Sequence, residues 1–178
     1  MTPDGAAAPP AAPAARPAAL AAGRAARRRI WLLVTAGVLA GIDLGAKAWA
    51  QQALVDAPIE AWPVNLQLGF NPGMAFSFAA DAPTGVVITV AGLITTALAV
   101  WAWRTAPTAR PVWRAAIATI LGGAVANVID RAQDGVVTDY LHTGWWPTFN
   151  LADVFIVVGG LLLVTASWRD DRPRPAQT

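Results

Sequence analysis

The chain has 178 residues, of which 56% are hydrophobic and 13% are charged, and its formal net charge is +2. A typical soluble domain carries about 25% charged residues, so this composition argues against a soluble globular protein. The chain has no cysteine and one histidine, His142, which excludes disulfides, a thiol nucleophile and Cys-based or multi-histidine metal centres. We expect no metal and no cofactor. The basic residues do not suggest a folded nucleic-acid surface, so no nucleic-acid partner is expected.

The first segment, residues 1–29, is rich in small residues and arginine. It holds 13 alanines, five prolines and five arginines, too little apolar surface to offset the entropy of ordering. We predict a disordered cytoplasmic tail over 1–29 and a second cytoplasmic tail over 169–178. A lipid-binding or regulatory role for the first tail is the alternative.

Four apolar segments follow, at 30–50, 84–103, 112–130 and 151–168. Each is close to the ~20 residues that cross ~30 Å of hydrocarbon. Buried helices of a soluble protein are the alternative, but a chain this short leaves little else to cover them. Eight of the nine tryptophans lie near the ends of these segments, at the level that indole rings prefer. We therefore predict an all-α membrane protein with four transmembrane helices, forming one domain over 30–168.

The distribution of Arg and Lys predicts the topology. Of 13 basic residues, 11 lie in the two tails or around the loop between the second and third spans. The positive-inside rule then places both termini in the cytoplasm. Residues 24–50 partly resemble a cleavable signal peptide, but Asp43 and Lys47 interrupt the apolar run, so we expect a retained span.

The loop 51–83 predicts a small β element at about 53–80 on the outer face. Apolar and polar residues alternate over 64–70 and again over 74–78, and period two indicates strands. Asn71-Pro72-Gly73 lies between them as a turn signal, so a hairpin or curved sheet is expected. For the third loop, 131–150, we expect a short amphipathic stretch on the membrane surface.

Ionisable residues cluster toward the outer ends of the spans, where they are costly and often functional. Asp43 and Lys47 are spaced i,i+4 and can pair on one helix face. Asn127, Asp130 and Arg131 also share a face. Structural ion pairs and helix caps are the alternative to a functional role for both groups.

Asp139 and Asp153 have no obvious cation near them in sequence except Arg131. Two neighbouring carboxylates share a proton, so one can act as a base on water while the other polarises a carbonyl. Helix capping by Asp153 and solvation of Asp139 in a loop are the alternative. A serine–lysine pair of Ser77 and Lys47 is a weaker candidate for catalysis.

Five segments together resemble those of the signal peptidase II family of lipoprotein signal peptidases, in the order and at the span ends expected. They are Asp43-Leu44-Gly45-Ala46-Lys47, the run Asn71 to Ser77, the run Gly122 to Arg131, Val136-Val137-Thr138-Asp139-Tyr140 and Phe149-Asn150-Leu151-Ala152-Asp153. The resemblance covers about 30–168. It implies an intramembrane aspartic endopeptidase that removes the signal peptide of diacylglyceryl-modified bacterial prolipoproteins, cutting before the lipid-modified cysteine. The family is the target of the antibiotic globomycin.

The resemblance also implies roles for individual residues. The catalytic pair is Asp139 and Asp153; the supporting or substrate-binding residues are Asn71, Asn127, Arg131 and Asn150; the structural polar residues are Asp43, Lys47 and Asp130. We expect a monomer in the bacterial inner membrane, in contact with lipid, with the site near the outer face. The stretch from Asp139 to Asp153 is short for the family.

Two other functions are weighed against this one. A small transporter or proton channel would use the carboxylates as relays, but it needs polar residues through the whole membrane depth, and the inner halves of the spans are largely apolar. A non-catalytic lipid-binding or assembly subunit would tolerate the loss of both Asp139 and Asp153.

Overall fold

The computed structural model describes residues 15–73 and 83–170. Its elements, in chain order, are α1 (Ala15–Ala53), β1 (Asn65–Asn71), α2 (Thr84–Thr105), α3 (Pro111–Asp134), β2 (Val137–His142) and α4 (Leu151–Asp170). All four helices are long and apolar enough to cross a membrane. The predicted four-span helical fold with a small β element is therefore confirmed.

Helix α1 begins well before the first predicted span. It has 39 residues, so it is about 58 Å long and extends far beyond ~30 Å of hydrocarbon. The predicted disorder of 1–29 is therefore wrong from residue 15 onward, and residues 1–14 lie outside the described part. Alanine and arginine have high helix propensity, and this stretch continues a long apolar helix. Arg28 also donates a hydrogen bond to the carbonyl oxygen of Pro107, which tethers the extension.

Helix α3 is the centre of the bundle and packs against each of the other three helices. Glycines allow the backbones to approach closely. A Cβ on Gly122 of α3 would lie 2.8 Å from the carbonyl oxygen of Ala36 in α1. A Cβ on Gly159 of α4 would lie 2.8 Å from the carbonyl oxygen of Ala116. Small residues at helix contacts are typical of membrane bundles, where close van der Waals packing drives association.

Strands β1 and β2 form an antiparallel two-stranded sheet. Gly69 pairs with Asp139 and Asn71 pairs with Val137, with an irregularity between Leu66 and Gly69. The first predicted strand is confirmed as β1, whereas the second, at 74–78, lies outside the described residues. In the third loop the structure has β2 where we expected an amphipathic stretch on the membrane. The backbone of β2 forms ladder hydrogen bonds with β1, which lies far away in sequence.

Candidate active site

Asn150 and Asp153 form a reciprocal cap at the start of α4. The side-chain oxygen of Asn150 accepts a hydrogen bond from the backbone N–H of Asp153 at 3.0 Å. The Oδ2 atom of Asp153 accepts one from the backbone N–H of Asn150 at 3.3 Å. This is the geometry of a capping box. It holds the Asp153 carboxylate at the helix N-terminus, where the helix dipole favours negative charge.

Asp139 lies in β2 and is only 3% exposed, so solvation in a loop is excluded. The Nδ2 atom of Asn150 donates a hydrogen bond of 2.7 Å to Oδ1 of Asp139. The same asparagine that caps α4 with Asp153 therefore also holds Asp139. One residue brings together the ends of two elements and the two carboxyl groups that they carry.

The environment of Asp139 favours its neutral form. The pKa of this carboxyl is raised from 3.8 to about 6, mainly by burial and also by the nearby charge of Asp153. Hydrogen bonds from Asn150 and Asn71 and the charge of Lys47 act in the opposite direction on this pKa. Desolvation penalises the charged form of an acid, and a like charge adds to that penalty. The carboxyl of Asp139 can therefore hold a proton close to neutral pH.

Asn127 connects Asp153 to a buried cation. Its Nδ2 atom donates to Oδ1 of Asp153 at 2.9 Å, and its Oδ1 atom accepts from Nζ of Lys47 at 2.6 Å. Lys47 also pairs with Asp43 at 2.9 Å, which confirms the predicted i,i+4 pair. A second carboxylate, that of Asp130, lies 3.2 Å from the same ammonium. All three charged groups are buried, and a buried charge is tolerated when it is paired and hydrogen-bonded.

Asp43 also supports the backbone beside Asp153. Its Oδ1 atom accepts a hydrogen bond from the backbone N–H of Ala152 at 2.8 Å, one of the N–H groups in the first turn of α4. Close packing holds this turn against α3, because a Cβ on Gly123 would collide with the carbonyl oxygen of Ala152. The position of Asp153 is therefore fixed from α1 and α3 as well as by its own cap.

Asp130 supports the backbone beside Asp139 in the same way. Its Oδ2 atom accepts a hydrogen bond from the backbone N–H of Thr138 at 2.7 Å. Gln51 of α1 donates to the hydroxyl of Thr138 at 2.8 Å. Thr138 and Gln51 were missed by the sequence analysis. Gln51 follows Lys47 by four residues on one helix face, which was the one available signal; nothing local predicted the role of Thr138.

Arg131 and Asn71 complete the set of predicted residues. Arg131 is half-buried in α3, and the charges of Asp130, Asp139 and Asp153 act on its guanidinium. Its Nε atom has no hydrogen-bond partner among residues 15–73 and 83–170. Asn71, at the end of β1, hydrogen-bonds Asp139 through its side chain. Eight of the nine site residues singled out from the sequence are therefore joined by hydrogen bonds or ion pairs into one polar cluster at one end of the bundle. The ninth, Arg131, interacts with the acids of this cluster through its charge.

Comparison with known proteins gives a family. A family model described as Signal peptidase (SPase) II matches residues 35–169. A lipoprotein signal peptidase of Xanthomonas campestris pv. campestris (strain 8004) is 39% identical over 150 residues, covering 74% of this chain and 84% of that protein. One of Xylella fastidiosa (strain 9a5c) is 36% identical over 162 residues, covering 82% and 92%. The chain belongs to the signal peptidase II family.

Solved structures share the fold. A bacterial membrane enzyme structure obtained by the in meso method at 2.3 Å has a TM-score of 0.70 at 22% identity, covering 83% of this chain and 93% of that one. A second, at 1.9 Å, has a TM-score of 0.65 at 23% identity, covering 78% of this chain and 93% of that one.

As a signal peptidase II, the chain is an aspartic endopeptidase and a multi-pass inner-membrane protein, which confirms the predicted enzyme class.

The geometry of this signal peptidase II argues against the alternative functions. Lys47, the proposed base of a serine–lysine pair, is engaged by Asp43, Asp130 and Asn127, and Ser77 lies outside the described residues. The described core toward the other end of the bundle consists of alanine, leucine and isoleucine. A relay of polar groups through the membrane is therefore not supported.

Proposed function

We propose that this signal peptidase II removes the signal peptide from diacylglyceryl-modified bacterial prolipoproteins, cutting before the lipid-modified cysteine with water activated by Asp139 and Asp153. The names of its relatives support the substrate class. The mechanism rests mainly on one observation. Asn150 donates a hydrogen bond to the buried Asp139 and also forms the cap of α4 with Asp153, so it joins the two aspartates.

The two carboxyl groups have different environments, which suggests different roles. Asp153 accepts one hydrogen bond on each carboxylate oxygen, from the amide of Asn127 and from the backbone N–H of Asn150. Burial favours the neutral form of Asp139. We assign Asp153 as the general base and Asp139 as the general acid.

The reaction then proceeds in two steps. Asp153 takes a proton from water as the water oxygen bonds to the scissile carbonyl carbon, and Asp139 gives its proton to the carbonyl oxygen. In the second step the C–N bond breaks. Asp153 returns its proton to the leaving nitrogen, and Asp139 recovers one from a hydroxyl of the tetrahedral intermediate. No proton is gained or lost by the pair over the cycle, and no covalent intermediate is required.

Arg131 and Asn71 fit a role in binding the substrate backbone. The charges of Asp139 and Asp153 both act on the guanidinium of Arg131, which is only half-buried, so this group can donate to a peptide carbonyl held near the pair. Asn71 ends a strand, and an extended peptide placed along the sheet would run past it toward Asp139. A single chain supplies all these groups, which supports a monomer as the active form.

The orientation proposed for the bundle places both termini in the cytoplasm and the aspartates near the outer face. Arg28, Arg29, Arg104 and Arg114 all lie at the end of the bundle away from the polar cluster, as the positive-inside rule requires. A substrate that carries acyl chains in the outer leaflet would then meet the site at the membrane surface.

The decisive experiment follows a diacylglyceryl-modified prolipoprotein by gel shift in membranes. We expect cleavage by the wild type and its loss in Asp139→Asn and in Asp153→Asn, with each variant inserted at the wild-type level. Asp56→Asn is the matched control, because Asp56 is an exposed acid in the loop after α1, and it should cleave normally. Cleavage by Asp139→Asn or Asp153→Asn at the wild-type rate would refute the assignment of the catalytic pair. Cleavage of unmodified precursor would refute the substrate class.

A further inference from the structure

A groove opens on the surface of the bundle at the end away from the aspartates. Helices α1 and α2 both pack against α3 but make few contacts with each other, which leaves a space of about 570 Å³ between them. Leu33 of α1, Val100 and Trp103 of α2 and Val125 of α3 contribute to its lining. This volume lies in the range of 300–1,000 Å³ that is usual for small-molecule sites.

The walls of the groove face the hydrocarbon. Leu33 is 47% exposed and Val100 is 45% exposed, although both lie within helices that cross the membrane. An apolar side chain in this position is covered by lipid. A groove between two such helices can receive one acyl chain along its length, which buries more apolar surface than contact with a flat helix face.

Two arginines lie at the end of the groove. Arg104 contributes to its lining and is exposed. The guanidinium carbon of Arg29 lies 4.8 Å from the ring centroid of Trp103, and its Nε atom donates to the carbonyl oxygen of Trp103 at 3.1 Å. The salt bridges within residues 15–73 and 83–170 all involve Lys47. The charges of Arg29 and Arg104 are therefore not compensated by a carboxylate in the described chain.

We infer that the groove binds one anionic phospholipid from the leaflet at the arginine-rich end. One of its two acyl chains lies along Leu33, Val100 and Val125, and its phosphate lies between the guanidinium groups of Arg29 and Arg104. Guanidinium groups bind phosphate oxygens through short, charge-assisted hydrogen bonds. The helix of a signal peptide fits this end poorly, because its n-region carries positive charge and would face two arginines.

Native mass spectrometry of the full-length protein tests this site. The probes are phosphatidylglycerol and phosphatidylcholine with identical acyl chains. We expect the wild type to bind phosphatidylglycerol more tightly. Arg104→Gln and Arg29→Gln should each weaken this binding about fivefold, as expected for the loss of one arginine at an anionic lipid. The same changes should weaken phosphatidylcholine binding less, because its choline cation offsets the charge of its phosphate. Thr96→Phe, which places a ring into the groove from an exposed position of its lining, should weaken the binding of both lipids.

Arg24→Gln is the matched control, because Arg24 is an exposed arginine of α1 that does not line the groove. It should change the affinity for phosphatidylglycerol by less than about twofold, as screened surface charges do. Equal losses for Arg24→Gln and Arg104→Gln would show attraction by net charge alone and overturn the site. Equal affinities of the wild type for the two lipids would overturn its preference for an anionic headgroup.

Discussion

Nζ of Lys47 donates a hydrogen bond of 2.6 Å to Oδ1 of Asn127, and this contact orients the amide. A lysine ammonium can only donate, so the amide oxygen of Asn127 must face it. The amide nitrogen is left to donate to Asp153, at 2.9 Å. In the proposed mechanism Lys47 is therefore a positioning residue that acts on Asp153 through Asn127.

Asn127→Asp tests this relationship with little change in shape. The new carboxylate keeps an acceptor for Lys47, but it removes the donor to Asp153 and places a like charge beside it. We expect kcat/KM to fall by at least about 100-fold, with insertion unchanged, since displacing a catalytic group costs about that much. Asn65→Asp is the control. Asn65 accepts a hydrogen bond from Ala61 through its side-chain oxygen, which an aspartate preserves. A wild-type rate for Asn127→Asp would show that the orientation of the amide does not matter.

The pH dependence of cleavage follows from the pKa of Asp139, which burial raises to about 6. If Asp139 is the general acid, its protonated form is the active one, so kcat/KM should decrease as pH rises through about 6. Asn71 donates a hydrogen bond that lowers this pKa, so Asn71→Ser should move the decrease to higher pH. Initial rates between pH 4.5 and 8 check both effects, with wild type and variant in the same membranes. A rate that increases through pH 6 would make Asp139 the base instead.

The same pKa predicts an effect on stability. The carboxyl of Asp139 has a pKa of about 6 in the folded protein against a reference value of 3.8, so the folded state binds more protons than the unfolded state between these values. Stability therefore decreases as pH rises from about 4 to 6. Asp139→Asn removes this penalty, which amounts to up to about 3 kcal/mol. We expect the variant to have a higher Tm than the wild type at pH 7.5, and a smaller difference at pH 4.5.

Thermal unfolding in detergent measures this stability effect, and Asp56→Asn, which changes an exposed acid, should leave Tm within experimental scatter at both pH values. An Asp139→Asn protein that is less stable than the wild type at pH 7.5 would mean that the hydrogen bonds to the ionised carboxylate outweigh its desolvation.

The spans were predictable because hydropathy is a local property of the sequence. All four predicted segments lie within helices of sufficient length and apolar character. The cap of α4 was also predictable, since Asn150 and Asp153 have the spacing of a capping box. The pairing of Gly69 with Asp139 was not predictable, because two strands far apart in sequence carry no periodic signal that identifies them as partners.

Most members of the polar cluster were predictable, Gln51 and Thr138 excepted, but of the contacts among them only the i,i+4 pair of Asp43 and Lys47 and the cap of α4 were. The site residues could be identified from sequence motifs, whereas the contacts between them depend on how the helices and strands pack. To predict that Asn150 holds Asp139, and that Asp130 holds the backbone of Thr138, one would need the positions of three elements at once.

The helical extension of α1 was missed for a related reason. Its alanine and arginine composition is compatible with both helix and disorder, and the contacts of Arg28 and Arg29 with the end of α2 and the following loop are tertiary.

Gly123 offers a test of how packing positions the active site. A Cβ at this position would collide with the carbonyl oxygen of Ala152, so Gly123→Ala must push the first turn of α4 away from α3. We expect a loss of about 1–3 kcal/mol of stability, as for other overpacked contacts, and a decrease in kcat larger than the change in KM, because Asp153 follows Ala152 directly. Gly160→Ala is the matched control, since nothing lies within 4 Å of a Cβ at that position in α4. Rates and Tm measured on both variants separate the two effects. A Gly123→Ala protein with wild-type kcat would show that Asp153 tolerates movement of the turn that carries it, and the close contact between α3 and α4 would then serve stability alone.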